Sequence, residues 1–188
     1  MDEVGLEAEA IILEESAGLV RRCAPKITPC RAGLAAMDID VSPFDNSGTK
    51  KEGVGWTYKK VDGYAPIFAY LGEEGYLVYA QLRPGTQHGQ KGTPESLERA
   101  LKLAKTVTRM EILVRMDSGN DDIENVRVCR KEGAHWLIKR NLRKEPLEAW
   151  LELARLYGRR QESRDGKGVY RGETRLDRDG RWERVVCE

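Results

Sequence analysis

Two β-rich runs, Ala65–Leu71 (APIFAYL) and Tyr76–Leu82 (YLVYAQL), are separated only by Gly72-Glu73-Glu74-Gly75. That spacing is too short for a crossover helix, so the runs predict an antiparallel hairpin. A third strand candidate, Ala35–Val41, precedes them across a loop-like stretch, 42–62, containing Pro43, Gly48, Gly53 and Gly55. Downstream the periodicity changes. Thr93 caps a helix with Pro94 in its first position. Its apolar stripe is Leu97, Leu101 and Ala104, widened by Ala100 and Leu103. Glu111–Met116 (EILVRM) reads as another strand. Asn120-Asp121-Asp122 starts a second helix, with Asp121-x-x-Glu124 as its capping box, Ile123 and Val126 facing inward and Gly133 closing it. Ala134–Arg140 (AHWLIKR) is a further strand. Three closely linked strands predict an antiparallel unit, and right-handed helix crossovers then add two strands parallel to the first. The expected fold is therefore α/β, a mixed five-stranded sheet with helices on its faces.

The flanks are less ordered in pattern. Residues 7–22 read as a helix with Ile11, Ile12 and Leu13 as an apolar patch, and Pro25 and Pro29 prevent its continuation. Pro146–Tyr157 predicts a third helix in the main body, buried along Leu147, Trp150, Leu151 and Ala154. After Gly158 the stretch RRQESRDGKG reads as polar and flexible, and VYRGETRL and RWERVVCE predict a hairpin around Asp179-Gly180. The length of 188 residues suits one domain, or one domain with a small appendage. Net charge is +1, so only a local patch could attract nucleic acid. No apolar run approaches the ~18 residues of a membrane span. The start MDEVGLEAEA lacks a basic leader. Cys23, Cys30, Cys129 and Cys187 are scattered, and His88 and His135 are isolated, so no zinc spacing is present. A reducing, cytoplasmic setting is expected.

Within this apolar pattern lie unexpected carboxylates. Asp38, Asp40 and Asp45 cluster where Ala35–Val41 runs into the loop. Residues two apart on a strand share a face, so Asp38 and Asp40 lie together. Burying an unpaired carboxylate is costly, and the plain reading puts both at a solvated strand end. Asp117 ends the strand EILVRM, and Ser118-Gly119 turns the chain after it. Functional groups of open α/β sheets gather at the carboxyl ends of strands. If the first and fourth strands are parallel neighbours, Asp40 and Asp117 meet there. Clustered carboxylates repel unless a cation lies between them. An oxygen-only set suits Mg²⁺ or Mn²⁺, and two such ions would serve in-line attack on a phosphodiester. The next strand leads into Lys139, Arg140, Arg143 and Lys144, either a solvated loop or a phosphate-binding rim. Lys50, Lys51, Lys59 and Lys60 could extend that rim. RPGTQHGQKGTPE fails the phosphate-loop pattern, because residue 90 is Gln rather than Gly. Gly53-x-Gly55 is too short a signal for a dinucleotide site. Asp38-x-Asp40-x-Ser42 approaches the motif of haloacid-dehalogenase-like phosphatases, with Asp38 as nucleophile and Asp40 as general acid. The closely spaced strands that follow argue against their parallel sheet.

The blocks DIDVSPFDNSGTKKEGVGWTYKKVDGYAPIFAYLGEEGY, LRPGTQHGQKGTPE, VRMDSGNDD and WLIKRNLRKEP resemble, in order, bacterial insertion-sequence transposases of the IS1380 group, within the larger IS4-like DDE superfamily. The resemblance spans roughly residues 35–158. It implies a ribonuclease-H-like sheet of order 3-2-1-4-5. It implies an N-terminal helical segment over 1–34, a catalytic core over 35–158 and the start of a β-rich insertion over 159–188. Asp40 and Asp117 correspond to the first two catalytic acids. They would hold Mg²⁺ or Mn²⁺, with Asp38 as a further metal-ligand candidate and the role of Asp45 left open. Lys139, Arg140, Arg143 and Lys144 resemble the family's basic segment that contacts DNA phosphate, and Lys50 and Lys51 of the glycine-rich loop would add to that DNA contact. The implied partner is the DNA of transposon ends, and the implied full-length assembly a homodimer working on bacterial nucleoid DNA. The family's third acid follows the insertion and is not matched here. Glu145, Glu148 and Glu152 precede that position. The chain alone is accordingly expected to lack strand-cleavage activity, as a fragment or as an inactive DNA-binding remnant.

Overall fold

The computed structural model describes residues 3–23, 26–142, 145–164, 167–178 and 180–187. They form two compact units, Met1–Arg140 and Asn141–Glu188. In the first, the elements run α1 (Glu3–Arg22), β1 (Ala35–Val41), β2 (Phe44–Asp45), β3 (Gly55–Trp56), β4 (Asp62–Tyr64), β5 (Ile67–Leu71), β6 (Tyr76–Gln81), α2 (Thr93–Val107), β7 (Ile112–Met116), a 3₁₀ turn (Ser118–Asn120), α3 (Ile123–Lys131) and β8 (His135–Ile138). The main sheet has the order β6-β5-β1-β7-β8. β1 pairs antiparallel with β5 and parallel with β7, and β8 extends the parallel half. The sheet is thus mixed, with two tight antiparallel steps followed by two helix crossovers.

Alternation decides which face of this sheet packs. Met37, Ile39 and Val41 of β1 are buried with Ile67, Ala69 and Leu71 of β5 and Ile112, Val114 and Met116 of β7. They meet Leu97, Ala100, Leu101 and Ala104, the stripe that one face of α2 presents. The other face holds Asp38, Asp40, Phe68, Tyr70, Arg115 and Leu137, all half-buried or exposed. Among the described side chains of α1 the buried residues are Leu13 and Ala17, while Ile11 and Ile12 are 61% and 64% exposed. Successive helical residues point ~100° apart, so the predicted Ile-Ile-Leu patch cannot turn together to one core.

Two caps differ from expectation. Gly92, not Thr93, is the N-cap of α2, in the left-handed region at φ 74°. The Thr93 hydroxyl instead donates to the Gly89 carbonyl at 2.6 Å. Asp122 caps α3, accepting from the Glu124 N–H at 2.9 Å, which leaves Asp121 for another role. The stretch 42–62 is also more regular than its glycines suggest. β2, β4 and β3 form a small three-stranded sheet. Close backbone approach explains the glycines: a Cβ on Gly63 would lie 1.8 Å from the Phe44 carbonyl oxygen, and one on Gly85 would lie 2.1 Å from that of Gly63. Arg83, 2% exposed, holds the following loop by donating to the carbonyls of Gly89 and Lys91 and to the Thr93 hydroxyl.

The second unit contains α4 (Leu147–Tyr157), β9 (Arg159–Arg164), β10 (Lys167–Arg178) and β11 (Arg181–Cys187). The strands form an antiparallel meander, β11-β10-β9. The expected hairpin is present, with Gly180 at φ 68° in its connection; Asp179 lies outside the described residues. The stretch expected to be flexible after Gly158 instead supplies β9. Leu147 and Leu151 are exposed, Trp150 and Ala154 half-buried, so the predicted buried stripe of this helix is corrected. Within its unit α4 packs on β9 and β10. The units divide after Arg140. α1 shares a core with α2, and α4 packs with the strands after it.

Candidate functional site

β1 and β7 run parallel with Ala35 beside Ile112 and Asp38 beside Arg115. Two residues further on, Asp40 lies in β1 and Asp117 directly follows the last residue of β7, each toward the carboxyl end of its strand. The side chains have different surroundings. Asp38 is held: Arg115 Nε and Nη2 donate to its two oxygens at 2.6 and 2.5 Å. Asp40 is exposed and has no hydrogen bond or ion pair among the described residues. Asp117 Oδ1 accepts from the Gly119 N–H at 3.0 Å and from Asn120 Nδ2 at 2.9 Å. Asn120 is buried, and its carbonyl accepts from Asn125 Nδ2 of α3 at 2.9 Å. The turn therefore fixes one oxygen of Asp117, whose side chain is exposed.

Tyr58 reports on both acids. Burial, then the negative charges of Asp40 and Asp117, push its phenol above the usual range. Its hydroxyl donates to the Val41 carbonyl at 2.9 Å. Among the described residues no group of three or more His, Cys, Asp or Glu side chains is arranged to hold a metal. Carboxylate oxygens are hard donors of the kind that suit Mg²⁺-like ions.

Asp45 lies apart in β2. It accepts from the Ser47 N–H at 2.8 Å, and hydrogen bonding by Ser47 lowers its pKa. Lys139 is exposed, and its N–H donates to the Met116 carbonyl at 3.1 Å, which sets it at the carboxyl end of β7. Arg140 is half-buried and pairs with Asp121 at 3.3 Å, so its guanidinium ties the end of β8 to the turn after β7. Arg143 and Lys144 lie outside the described residues. Lys50 and Lys51 are exposed between β2 and β3. Sequence reasoning missed Arg115 and Tyr58. The available signals were a cation within the strand EILVRM and an aromatic pair, Trp56 and Tyr58, in a glycine- and lysine-rich stretch.

The haloacid-dehalogenase-like alternative needs Asp38 as a free nucleophile in a parallel sheet. Arg115 engages both oxygens of Asp38, and β1 has an antiparallel neighbour, β5.

The architecture is that of an α/β protein with an acidic site at the carboxyl ends of adjacent parallel strands. The family described as Transposase DDE domain group 1 matches residues 23–184, and the chain belongs to that family. No curated protein matches the chain. Among solved structures, it is similar to a piggyBac transposase synaptic complex with hairpin DNA, seen by electron cryomicroscopy. The TM-score is 0.40 and the identity 14%, over 89% of this chain and 35% of the other. The chain thus spans about a third of the length of that relative.

Proposed function

We propose that this chain contributes the Asp40–Asp117 part of a metal-dependent active site that cuts and joins DNA at transposon ends. The reading takes the sheet as ribonuclease-H-like and the chain as related to the IS1380 group. The observation that carries it is the parallel register of β1 and β7, which directs two acids to one sheet end. Asp40 has no other partner among the described residues, and Asp117 has one oxygen already oriented by Gly119 and Asn120. Mg²⁺ or Mn²⁺ bound there would stabilise charge on a phosphate and activate the attacking hydroxyl. Lys139 is suited to binding a neighbouring DNA phosphate, with Lys50 and Lys51 as further contacts. Asp38 serves in a different capacity: paired with Arg115, it stiffens the strand that presents Asp40.

Calorimetry with Mn²⁺ tests the site. Binding by the 188-residue chain should disappear in Asp40→Asn and in Asp117→Asn. Binding unchanged in both variants would overturn the assignment. Two carboxylates leave a second ion poorly held, so we expect no nicking of supercoiled plasmid by this chain alone. Robust nicking abolished by Asp117→Ala would show that a third acid within this chain completes the site.

A further inference from the structure

The connection between β3 and β4 exposes an unusual set of side chains. Trp56 and Tyr58 are 61% and 65% exposed, while Thr57 between them is 2% exposed. Thr57 turns inward, while Trp56 at the end of β3 and Tyr58 in the turn that follows stay largely exposed on either side of it. Thr57 is secured at both polar groups: its N–H and its hydroxyl each donate to the Val61 carbonyl at 2.9 Å. Its own carbonyl accepts from the Lys60 N–H at 2.9 Å. Lys60 adopts φ 62°, a left-handed conformation unusual for lysine, and both Lys59 and Lys60 are exposed.

This tip is anchored next to the acids. The Tyr58 hydroxyl reaches the Val41 carbonyl, one residue beyond Asp40. The Gly55 and Gly63 carbonyls press against Gly85, so the tip cannot shift freely toward the 83–92 loop. Single exposed aromatics need no explanation. Here two aromatic rings and two lysines share one tip beside two carboxylates. Aromatic faces stack on bases of any sequence, and lysines neutralise the backbone between them.

We propose that Trp56–Lys60 is a clamp for unpaired nucleotides of the DNA strand brought to Asp40 and Asp117. Trp56 is the stacking platform, Tyr58 anchors the tip against β1, and Lys59 and Lys60 meet the adjacent phosphates. The inference rests on the DNA-processing reading above and adds the form of the substrate, a single-stranded or frayed end. Intact duplex presents no base face except at its termini, so it should engage this tip poorly.

Tryptophan fluorescence of the 188-residue chain, titrated with an oligothymidylate of about 15 nucleotides and with a blunt duplex of equal length, tests the clamp. Single strands should quench the emission. Trp56→Ala should weaken single-strand binding, followed by fluorescence anisotropy of a labelled oligonucleotide, roughly tenfold. Trp56→Phe, which keeps a stacking face, should restore most of it, and duplex affinity should change less than about twofold in either variant. Equal affinity of the parent chain and Trp56→Ala for the oligothymidylate would overturn the clamp. So would a loss that Trp56→Phe fails to rescue. Mn²⁺ calorimetry separates this from the underlying reading. Failure of the clamp with Mn²⁺ binding still dependent on Asp40 and Asp117 strikes the clamp alone. Mn²⁺ binding indifferent to both acids strikes the active-site reading.

Discussion

β1 and β10 are both central strands, each paired on two sides, yet their registers rest on different physics. In β1, Met37, Ile39 and Val41 enter a core, and a slip by one residue would expose all three. The acids share the other face, where Asp38 lies across from Arg115. In β10 the register sets Arg171 opposite Arg159. Like charges directly opposite are unfavourable. Burial therefore specifies the register of the first sheet. In the second, the described cross-strand pair Arg171–Arg159 works against the register that the backbone ladder and the turn at Gly180 hold.

Core truncation should break the contrast most strongly. Leu101 is fully buried in α2, and Leu101→Ala should cost about 2–5 kcal/mol in urea unfolding of the first unit. Leu156 of α4 is 67% exposed, and Leu156→Ala should change stability by less than about 0.5 kcal/mol. Similar losses from the two substitutions would erase the distinction drawn between the units.

An intermediate effect is expected where backbone meets backbone. Gly63→Ala forces a Cβ into the Phe44 carbonyl and should destabilise the small sheet by about 1–3 kcal/mol. Hydrogen exchange should rise at the Phe44–Tyr64 pairing first. Unchanged protection there would mean that β2 and β4 are not held as closely as described.

Charge reversal on the second sheet should have a smaller, opposite effect. Arg159→Glu places an acid opposite Arg171 and should stabilise the meander by about 0.2–1 kcal/mol, read as a rise in the urea midpoint of the second unit. A fall would show that the arginine pair is supported by neighbours that the substitution disturbs.

The smallest effect concerns pH. Lys102 and Lys131 hydrogen-bond Glu98 at 2.5 and 2.9 Å and lower its carboxyl from 4.5 to about 2. A carboxylate lowered on folding contributes stability above its ordinary pKa, and that contribution fades as pH falls through about 2. The tie between α2 and α3 lies at the surface, so its effect on unfolding should be slight. An NMR titration of the Glu98 carboxyl should find its midpoint near 2, and a midpoint at 4.5 would mean the tie is not maintained in solution.

Local periodicity made much of the first unit legible. Alternation in Ala35–Val41, the Gly72–Gly75 turn and the stripe Leu97–Leu101–Ala104 each reflect geometry repeating over a few residues. The same reasoning put Asp117 at a strand end and Asp38 with Asp40 on one face. It misread α4, because an amphipathic pattern states that an apolar face exists without providing a surface to cover it. It also missed the small sheet, whose paired segments are only two or three residues long.

Tertiary structure decided the fates of the acids. Asp38 and Asp40 are chemically identical and two residues apart, yet only Asp38 meets Arg115, 77 residues away in the chain. Cross-strand register selected that pair, and nothing within β1 encodes it. Asp40 and Asp117 each come toward the carboxyl end of their strand, and the hydrogen bond from Tyr58 to Val41 brings an aromatic tip next to Asp40. Strand propensity is written locally because backbone sterics are local. A site made where separate strands end depends on how their ladders align, and only the packed sheet sets that alignment.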